Sequence, residues 1–563
     1  MPDRRMLRRA LAAALALAVV GALSACVGIP GSGPVSQGLS LSAGSGGANF
    51  DFNPEGPVKG ASRDNILKGF VGAFTSATGG YAVAKEFLTS GFAGKWDPRQ
   101  SVQVRTGAPR IVHLTDTTTQ YSFSSIASVD AFGAYTESAQ PITLQFGFAK
   151  EGGEWRINAA PSGIVLSDQT FQRIFTQHAL YFLDPGNAHL IPDLRWFPRG
   201  TAATGIVTAL LAGPPNWLKG AAFSRFPDGT QLTDAGSLIT PVDGVANIDL
   251  TKEALSASTK DRQLMRLQLS ESLRSVSSIS SVKISVAGTP LQIDDLGSTA
   301  PQADTKVDGQ ALVLRKGAFG FYANGQVAPL SQLSQKVVNL VPRAATLSSD
   351  GNSVAVLGTG GVSLVRKGTA AAVLVDPRGN LIAPSLDENG YVWSVPSDQP
   401  NAIRATDAGG VAHAVAASLP GDSQVRSIEV SRDGARIAIL LSTVTGPRLI
   451  VAAILRDPDQ VPVSLKAPII DFPLAAGAAI DATWVDQLTV ATLVTTGSES
   501  TVQSFTIGGQ RTPLGSLPSA QAIVGGNGQN GLRVLADDST IWAYQGSSWQ
   551  STGVKVDFIA TQR

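Results

Sequence analysis

Apolar residues first gather in a block from Ala10 to Leu23, directly after Arg4, Arg5, Arg8 and Arg9. A basic stretch, an apolar run and then small residues is the layout of an export signal. At about 14 residues the run is too short to cross a hydrocarbon core of about 30 Å. Periodicity then vanishes: Gly28 to Pro57 holds 8 Gly, 4 Pro and 5 Ser in 30 residues. That composition predicts a flexible tether with a root-mean-square span of roughly 30 Å. From Gly60 the spacing is helical. Ile66, Leu67, Phe70, Val71 and Phe74 follow a cap at Ser62 or Asp64, and Gly79-Gly80 stops the run. A second helix is expected over Ala84, Phe87 and Leu88, ending near Gly91. Alternation takes over around Val102 to Val104, Tyr121 to Ile126, Ile142 to Phe148 and Glu154 to Ile157, with a turn at Glu151-Gly152-Gly153.

Beyond Thr170 the pattern predicts strands at Leu180 to Leu183 and Leu190 to Phe197. A helix over Ala202 to Leu211 is halted by Gly213-Pro214-Pro215. Strands at Gln231 to Leu232 and Val245 to Leu250 are expected, with a tight turn at Asp243-Gly244. A helix from Thr259 to about Val276 and a strand Val282 to Val286, turning at Ala287-Gly288, complete this region. After Ala311 the pattern is strand pairs. Leu347 to Leu357, built around Asp350-Gly351, recurs as Val430 to Leu440 around Asp433-Gly434, and more weakly around Asn389-Gly390. The offsets of 39 and 44 residues match the blade length of a β-propeller, and the length available allows roughly six blades. Degenerate copies stand near Ala482 to Leu493 and Val534 to Tyr544. The chain thus divides into a signal (1–25), a tether (26–58), two α+β regions (59–167 and 168–298) and a propeller-like region (305–563).

Of the 563 residues, 44 are Lys or Arg and 43 Asp or Glu. Removing residues 1–25 takes four Arg and Asp3 and leaves a net charge of −2 with histidine neutral. No nucleic-acid partner is expected, because phosphate neutralisation needs a clustered basic excess. Only 15% of residues are charged, while Gly and Pro are abundant at 59 and 32, which suits a secreted β-rich protein. One Cys and four His rule out a disulfide framework and leave no Cys/His metal cluster, so no metal or cofactor is expected. No G-x-S-x-G, H-E-x-x-H, Walker A or G-x-G-x-x-G motif is found. His113, His178, His189 and His413 are scattered. The pairs Asp294-Asp295 and Asp537-Asp538 read as solvated turns, since adjacent positions do not face each other across a cleft. The eight tryptophans read as packing residues, and each Asp-Gly as a tight turn rather than a calcium ligand. The expectation is a non-enzymatic protein without catalytic residues.

Leu23-Ser24-Ala25-Cys26 resembles the lipobox of bacterial lipoproteins. The resemblance implies cleavage before Cys26 and lipidation of Cys26 by an S-diacylglycerol and an N-acyl chain such as palmitate. Two or more acyl chains hold a protein stably on a membrane, where one does not. Helices leading through Phe87-Leu88 and Trp96-Asp97-Pro98 to a strand with Trp155-Arg156-Ile157 look like an NTF2-like α+β domain. Tyr181-Phe182-Leu183, Leu210-Leu211-Ala212-Gly213-Pro214, Gly244 to Leu250 and Val282 to Val286 resemble a GerMN domain.

Taken in order, the lipobox, the following Val27 to Val35, the GerMN-like middle and the propeller-like end resemble the actinobacterial LpqB lipoprotein family. High Ala and Gly content fits such a source. The resemblance implies an accessory lipoprotein of the MtrA-MtrB two-component system that contacts the extracytoplasmic region of the sensor histidine kinase and tunes cell-envelope and division responses. It would sit on the extracytoplasmic face of the cell membrane through its lipid anchor. Binding of a cell-wall polymer, peptidoglycan or glycan, is the alternative reading.

Overall fold

Ser62 is extended at φ −67°, ψ 161°, and its hydroxyl accepts from the Asn65 amide, capping helix α1 (Arg63–Gly72). The helix buries Ile66, Leu67 and Phe70, the face predicted by their spacing. The second helix departs from expectation by splitting into α2 (Ala82–Glu86) and α3 (Ser90–Ala93). The cause is a distant partner. Leu88 leaves the helix to bridge Ile157, with the Ile157 amide bonded to the Phe87 carbonyl at 2.9 Å and the Thr89 amide to the Ile157 carbonyl at 2.9 Å. This computed structural model describes residues 54–234, 238–467 and 470–563; the signal, the Cys26 lipobox and nearly all of the tether lie outside the described residues.

Four strands, β1 (Ser101–His113), β2 (Thr118–Asp130), β3 (Tyr135–Glu151) and β4 (Glu154–Ala159), form an antiparallel meander. Strand β5 (Ile164–Ser167) returns parallel to β1, giving the order β4-β3-β2-β1-β5. Bulges at Val104/Arg105 and Thr106/Arg110 interrupt the β1–β2 ladder and bend the sheet. It curves around Phe70, Phe74, Trp96 and Phe146, all buried. The Gly152-Gly153 turn joining β3 to β4 has φ of 61° and 86°, angles that favour glycine.

Helix α4 (Asp168–Ile174) leads into a hairpin of β6 (Phe175–Leu183) and β7 (Leu190–Pro198). Helix α5 spans Ala202–Leu211, as the two prolines dictate. Next come β8 (Val245–Leu250), helix α6 (Thr259–Leu273), β9 (Ser281–Val286) parallel to β8, and a short β10 (Thr289–Pro290). Helix α6 stops about a turn before Val276, and the strand expected at Gln231 to Leu232 is only a bridge between Leu232 and Leu250. Asp243 and Gly244 both have positive φ, 51° and 77°, and Val242 and Val245 exchange two backbone hydrogen bonds across them. That is the two-residue turn the pair predicts. Leu180, Phe182, Ile206, Leu210, Ile248 and Leu269 build this domain's core.

Among the described residues the remaining strands form five sheets, and the eight-stranded one divides into two blades joined by the C-terminal strand, which makes six blades. In blade 1 the C-terminal strand Phe558–Gln562 pairs with Ala311–Arg315, so the two ends of the region close the ring. The turns at Asp350, Asn389 and Asp433 each join the first two strands of blades 2, 3 and 4. The Ala482 to Leu493 copy holds the same place in blade 5. The Val534 to Tyr544 copy does not, since it joins the second and third strands of blade 6. A longer connection from Gly525 to Leu532 occupies the expected place. The mixed multidomain architecture expected from the pattern is the one observed.

Candidate functional site

Strand β7 has the sequence Leu-Ile-Pro-Asp-Leu-Arg-Trp-Phe-Pro, and all but its last residue are buried. An isolated hairpin strand could not bury an Asp and an Arg among apolar residues; here three modules close on it. Trp196 belongs to the middle domain, yet its ring packs into the N-terminal core, 5.3 Å from Tyr135 and 5.0 Å from Phe171. Its backbone amide donates to Gly133 at 2.8 Å, and its indole Nε1 donates to the Gly508 carbonyl of blade 5 at 2.9 Å. Gly508 has φ +79°, and a Cβ there would meet the Leu194 carbonyl at 2.7 Å, so only glycine permits this approach.

A buried charge group lies beside it. The Asp193 carboxylate accepts from Arg195 Nε at 2.5 Å, with the two side chains 7% and 5% exposed. Arg195 also donates to the Phe132 carbonyl of the N-terminal domain at 3.0 Å. Arg436 of blade 4 is fully buried, pairs with Asp433, donates to the Pro192 carbonyl at 3.5 Å and lies over the Trp484 ring at 5.3 Å. Burial pushes the Asp193 carboxyl above its ordinary range, against the pull of Arg195 and Arg436. On the outer side, Arg511 of blade 5 holds Glu137 of β3 through Nε at 2.6 Å and through its backbone amide at 3.2 Å. The neighbouring Tyr135 hydroxyl is pushed up to about 12, chiefly by burial. The arrangement makes the three modules one body.

Within the propeller, carboxylates tie blade to blade. Glu429 of blade 4 accepts from the Trp484 amide at 2.9 Å and the Thr483 hydroxyl at 3.2 Å in blade 5, with Arg563 at 3.3 Å. Asp481 accepts from its neighbour's amide at 2.9 Å and from Ile523 of blade 6 at 3.0 Å. Burial raises its carboxyl to about 7, with nearby Glu429 adding to the rise.

The residues weighed from sequence stand apart. His113 meets Asp64 at 2.8 Å in the N-terminal domain. His178 is buried between the Thr176 and Ser275 hydroxyls at 2.8 and 2.7 Å, and burial brings its imidazole down to about 4. His189 lies in the β6–β7 connection, and His413 in blade 3. Asp295 pairs with Arg266, while Asp538 accepts from the Thr540 amide at 2.9 Å. Among the described residues no three His, Cys, Asp or Glu side chains are grouped to hold a metal ion. The Asp-Gly aspartates are spent on their own turns: Asp350 accepts from the Asn352 amide at 2.9 Å, and Asp433 from the Ala435 amide at 3.0 Å. Trp96, Trp196, Trp393, Trp484 and Trp549 are buried, in keeping with packing roles. Sequence reasoning missed Asp193, Arg195, Arg436 and the Glu137–Arg511 pair. The Asp-x-Arg inside the apolar run of β7 was the signal for the first two.

The family description "Lipoprotein LpqB, N-terminal domain" matches residues 56–172, "Sporulation and spore germination" matches 179–292, and "Lipoprotein LpqB beta-propeller domain" matches 317–556. The chain belongs to the LpqB lipoprotein family. It is 31% identical over 290 residues to Lipoprotein LpqB of Cutibacterium acnes, covering 51% of this chain and 48% of that protein. It thus spans about half the length of that relative. With the Bifidobacterium longum LpqB it shares 26% identity over 487 residues, 81% of each chain. Among solved structures, the first GerMN domain of the sporulation protein GerM from Bacillus subtilis is 23% identical, with a TM-score of 0.17, over 22% of this chain and 92% of that one. The three matches fall in turn on the N-terminal domain, the middle domain and the propeller, and β7 lies within the middle match. No helix among the described residues is long and apolar enough to cross a membrane.

Proposed function

We propose that this protein is a membrane-anchored, extracytoplasmic accessory regulator of a two-component sensor kinase of the MtrA-MtrB type. Membership of a lipoprotein family supports the anchor, and the lipobox residues Leu23 to Cys26 supply it. Signal cleavage before Cys26, an S-diacylglycerol and an N-acyl chain fix the mature protein to the outer leaflet of the cell membrane. The net charge of −2 after cleavage gives no polybasic attraction to lipid headgroups, so the acyl chains carry membrane retention.

The observation that carries the regulatory reading is the junction at β7. A kinase contact on any one module is felt by a body in which Trp196, the Asp193–Arg195 pair and the Glu137–Arg511 pair join all three. Tethering confines that body to the membrane surface and raises its effective concentration at a membrane-bound kinase. Such a contact changes signalling only through different affinity for the two kinase states. The reading involves no catalytic residue, metal or cofactor in this chain.

Three measurements test it. Cys26→Ser moves the mature protein out of the detergent phase; continued membrane retention refutes the anchor. Crosslinking of the anchored protein in native membranes, with mass spectrometry, traps a sensor kinase above a soluble control. Unchanged kinase autophosphorylation at saturating protein refutes regulation.

A further inference from the structure

Beside the junction, a cleft of about 360 Å3 opens between the β6–β7 hairpin and blade 5. Four planar polar side chains converge on it: Gln177 from β6, Asp304 from the linker that follows the middle domain, and Asp486 and Gln487 from the first turn of blade 5. Thr489 and Thr506 add hydroxyls, while the Tyr181 ring and Leu194 supply apolar surface. Both walls are fixed. Gln487 Nε2 donates to the Ala303 carbonyl, tying the blade turn to the linker, and Leu194 packs against Gly508 and Gly509. The cleft is therefore preformed at a domain boundary, where ligand sites concentrate.

Its charge balance decides what fits. Asp304 pairs with Lys306. Arg432, which donates to the Thr305 carbonyl at 3.3 Å, lies within electrostatic reach of both Asp304 and Asp486. The two carboxylates of the lining are thus partly offset by cations beside the cleft, which weakens its hold on a cationic group. One oxygen of Asp486 is taken by the Leu488 amide at 2.8 Å. The Tyr181 phenol is a donor as well as an acceptor, and burial pushes its titration further above the ordinary range.

We infer that this cleft binds a neutral polyhydroxylated ligand, a short stretch of saccharide. Neighbouring ring hydroxyls each donate and accept: the Gln177 carboxamide offers both a donor and an acceptor, and the remaining oxygens of Asp304, Asp486 and Gln487 each accept from one hydroxyl. The C–H face of a sugar ring meets Tyr181 and Leu194. The inference is independent of the kinase reading: it locates saccharide contact in one cleft, whatever protein the body touches.

The test is calorimetric titration of the full lipidated protein in detergent micelles with chitotetraose and maltotetraose, and with tetralysine as a charged comparison. Gln177→Ala and Asp486→Asn serve as variants. Gln177 is exposed at the rim, and asparagine keeps an acceptor for the Leu488 amide, so the fold is retained; circular dichroism verifies this. The expected result is binding of at least one neutral tetrasaccharide with Kd of about 1 mM or tighter, weakened about tenfold in each variant. Absence of binding for both sugars at about 10 mM overturns the inference. So does binding untouched by both variants, or preference for tetralysine that is lost in Asp486→Asn, which would make the cleft a cation site. A kinase contact that persists while sugar binding is absent refutes the cleft alone; sugar binding without any kinase contact refutes the regulatory reading alone.

Discussion

Replacing Trp196 by alanine should uncouple the modules. The indole is 3% exposed, and burying a ring of that size removes roughly 150–250 Å2 from water, worth about 4–6 kcal/mol at about 25 cal/mol per Å2. Alanine retains a little of that and the surroundings relax in part, so the expected packing cost is about 3–5 kcal/mol. Loss of the 2.9 Å bond to the Gly508 carbonyl adds roughly 0.5–1.5 kcal/mol. Because the ring sits in the N-terminal core, on the middle domain's strand and against blade 5, this loss falls on the coupling as well as on one core. Differential scanning calorimetry of the full protein reads it directly. The native protein should unfold its three modules in one transition, whereas Trp196→Ala should resolve at least two, the first well below the native midpoint. Trp393→Ala is the control. That ring is fully buried within blade 3 and bonds Asp387 at 3.0 Å, so its loss should destabilise the propeller without the same release of the N-terminal domain. A single unshifted transition in Trp196→Ala, or identical splitting in both variants, would refute the claim that β7 joins the modules.

The charges beside Trp196 give a second expectation. Asp193→Ala leaves Arg195 buried without its partner and should cost about 3–5 kcal/mol, while the double change Asp193→Leu with Arg195→Met should cost less than the single one; urea unfolding measures both. Glu137 and Arg511 are more exposed, at 24% and 37%, so a double-mutant cycle with alanine should yield only about 0.5–1 kcal/mol of coupling, reduced by salt. Asp481 should make the propeller sensitive to pH. Its folded pKa is raised from the ordinary 3.8 to about 7, so the folded state binds the extra proton, and stability should fall as pH rises from about 4 to about 7, by at most about 1.4 kcal/mol per unit. Asp481→Asn should flatten that slope in denaturation series; an unchanged slope would assign the pH dependence elsewhere.

Features fixed by neighbouring residues were legible in the sequence. Ser62 caps α1, Gly213-Pro214-Pro215 ends α5, and Asp243-Gly244 turns a hairpin, because each depends on angles or donors within a few residues. The blades were legible where a short Asp-Gly turn repeats, and lost in blade 6, where the connection from Gly525 to Leu532 carries no such turn. The second helix failed for the opposite reason. Leu88 has helical spacing but is claimed by Ile157, a strand residue far along the chain.

The junction was least legible, because it is made of long-range pairs. Arg436 meets Pro192 across 244 residues, Trp196 meets Gly508 across 312, and Arg511 meets Glu137 across 374. No local pattern encodes such contacts. Yet one local anomaly points at them: an Asp and an Arg inside an apolar strand must be paired when buried, and partners within β7 alone cannot also cover the rest of the strand. A single strand that satisfies its polar groups through two other modules forces those modules to move together. For a protein proposed to act by contact, that rigidity matters, because a loosely strung set of domains could bind a kinase without biasing its state, whereas a stiff body loses affinity whenever its partner changes shape. The sequence of β7 is thus where the fold and the proposed function depend on the same residues.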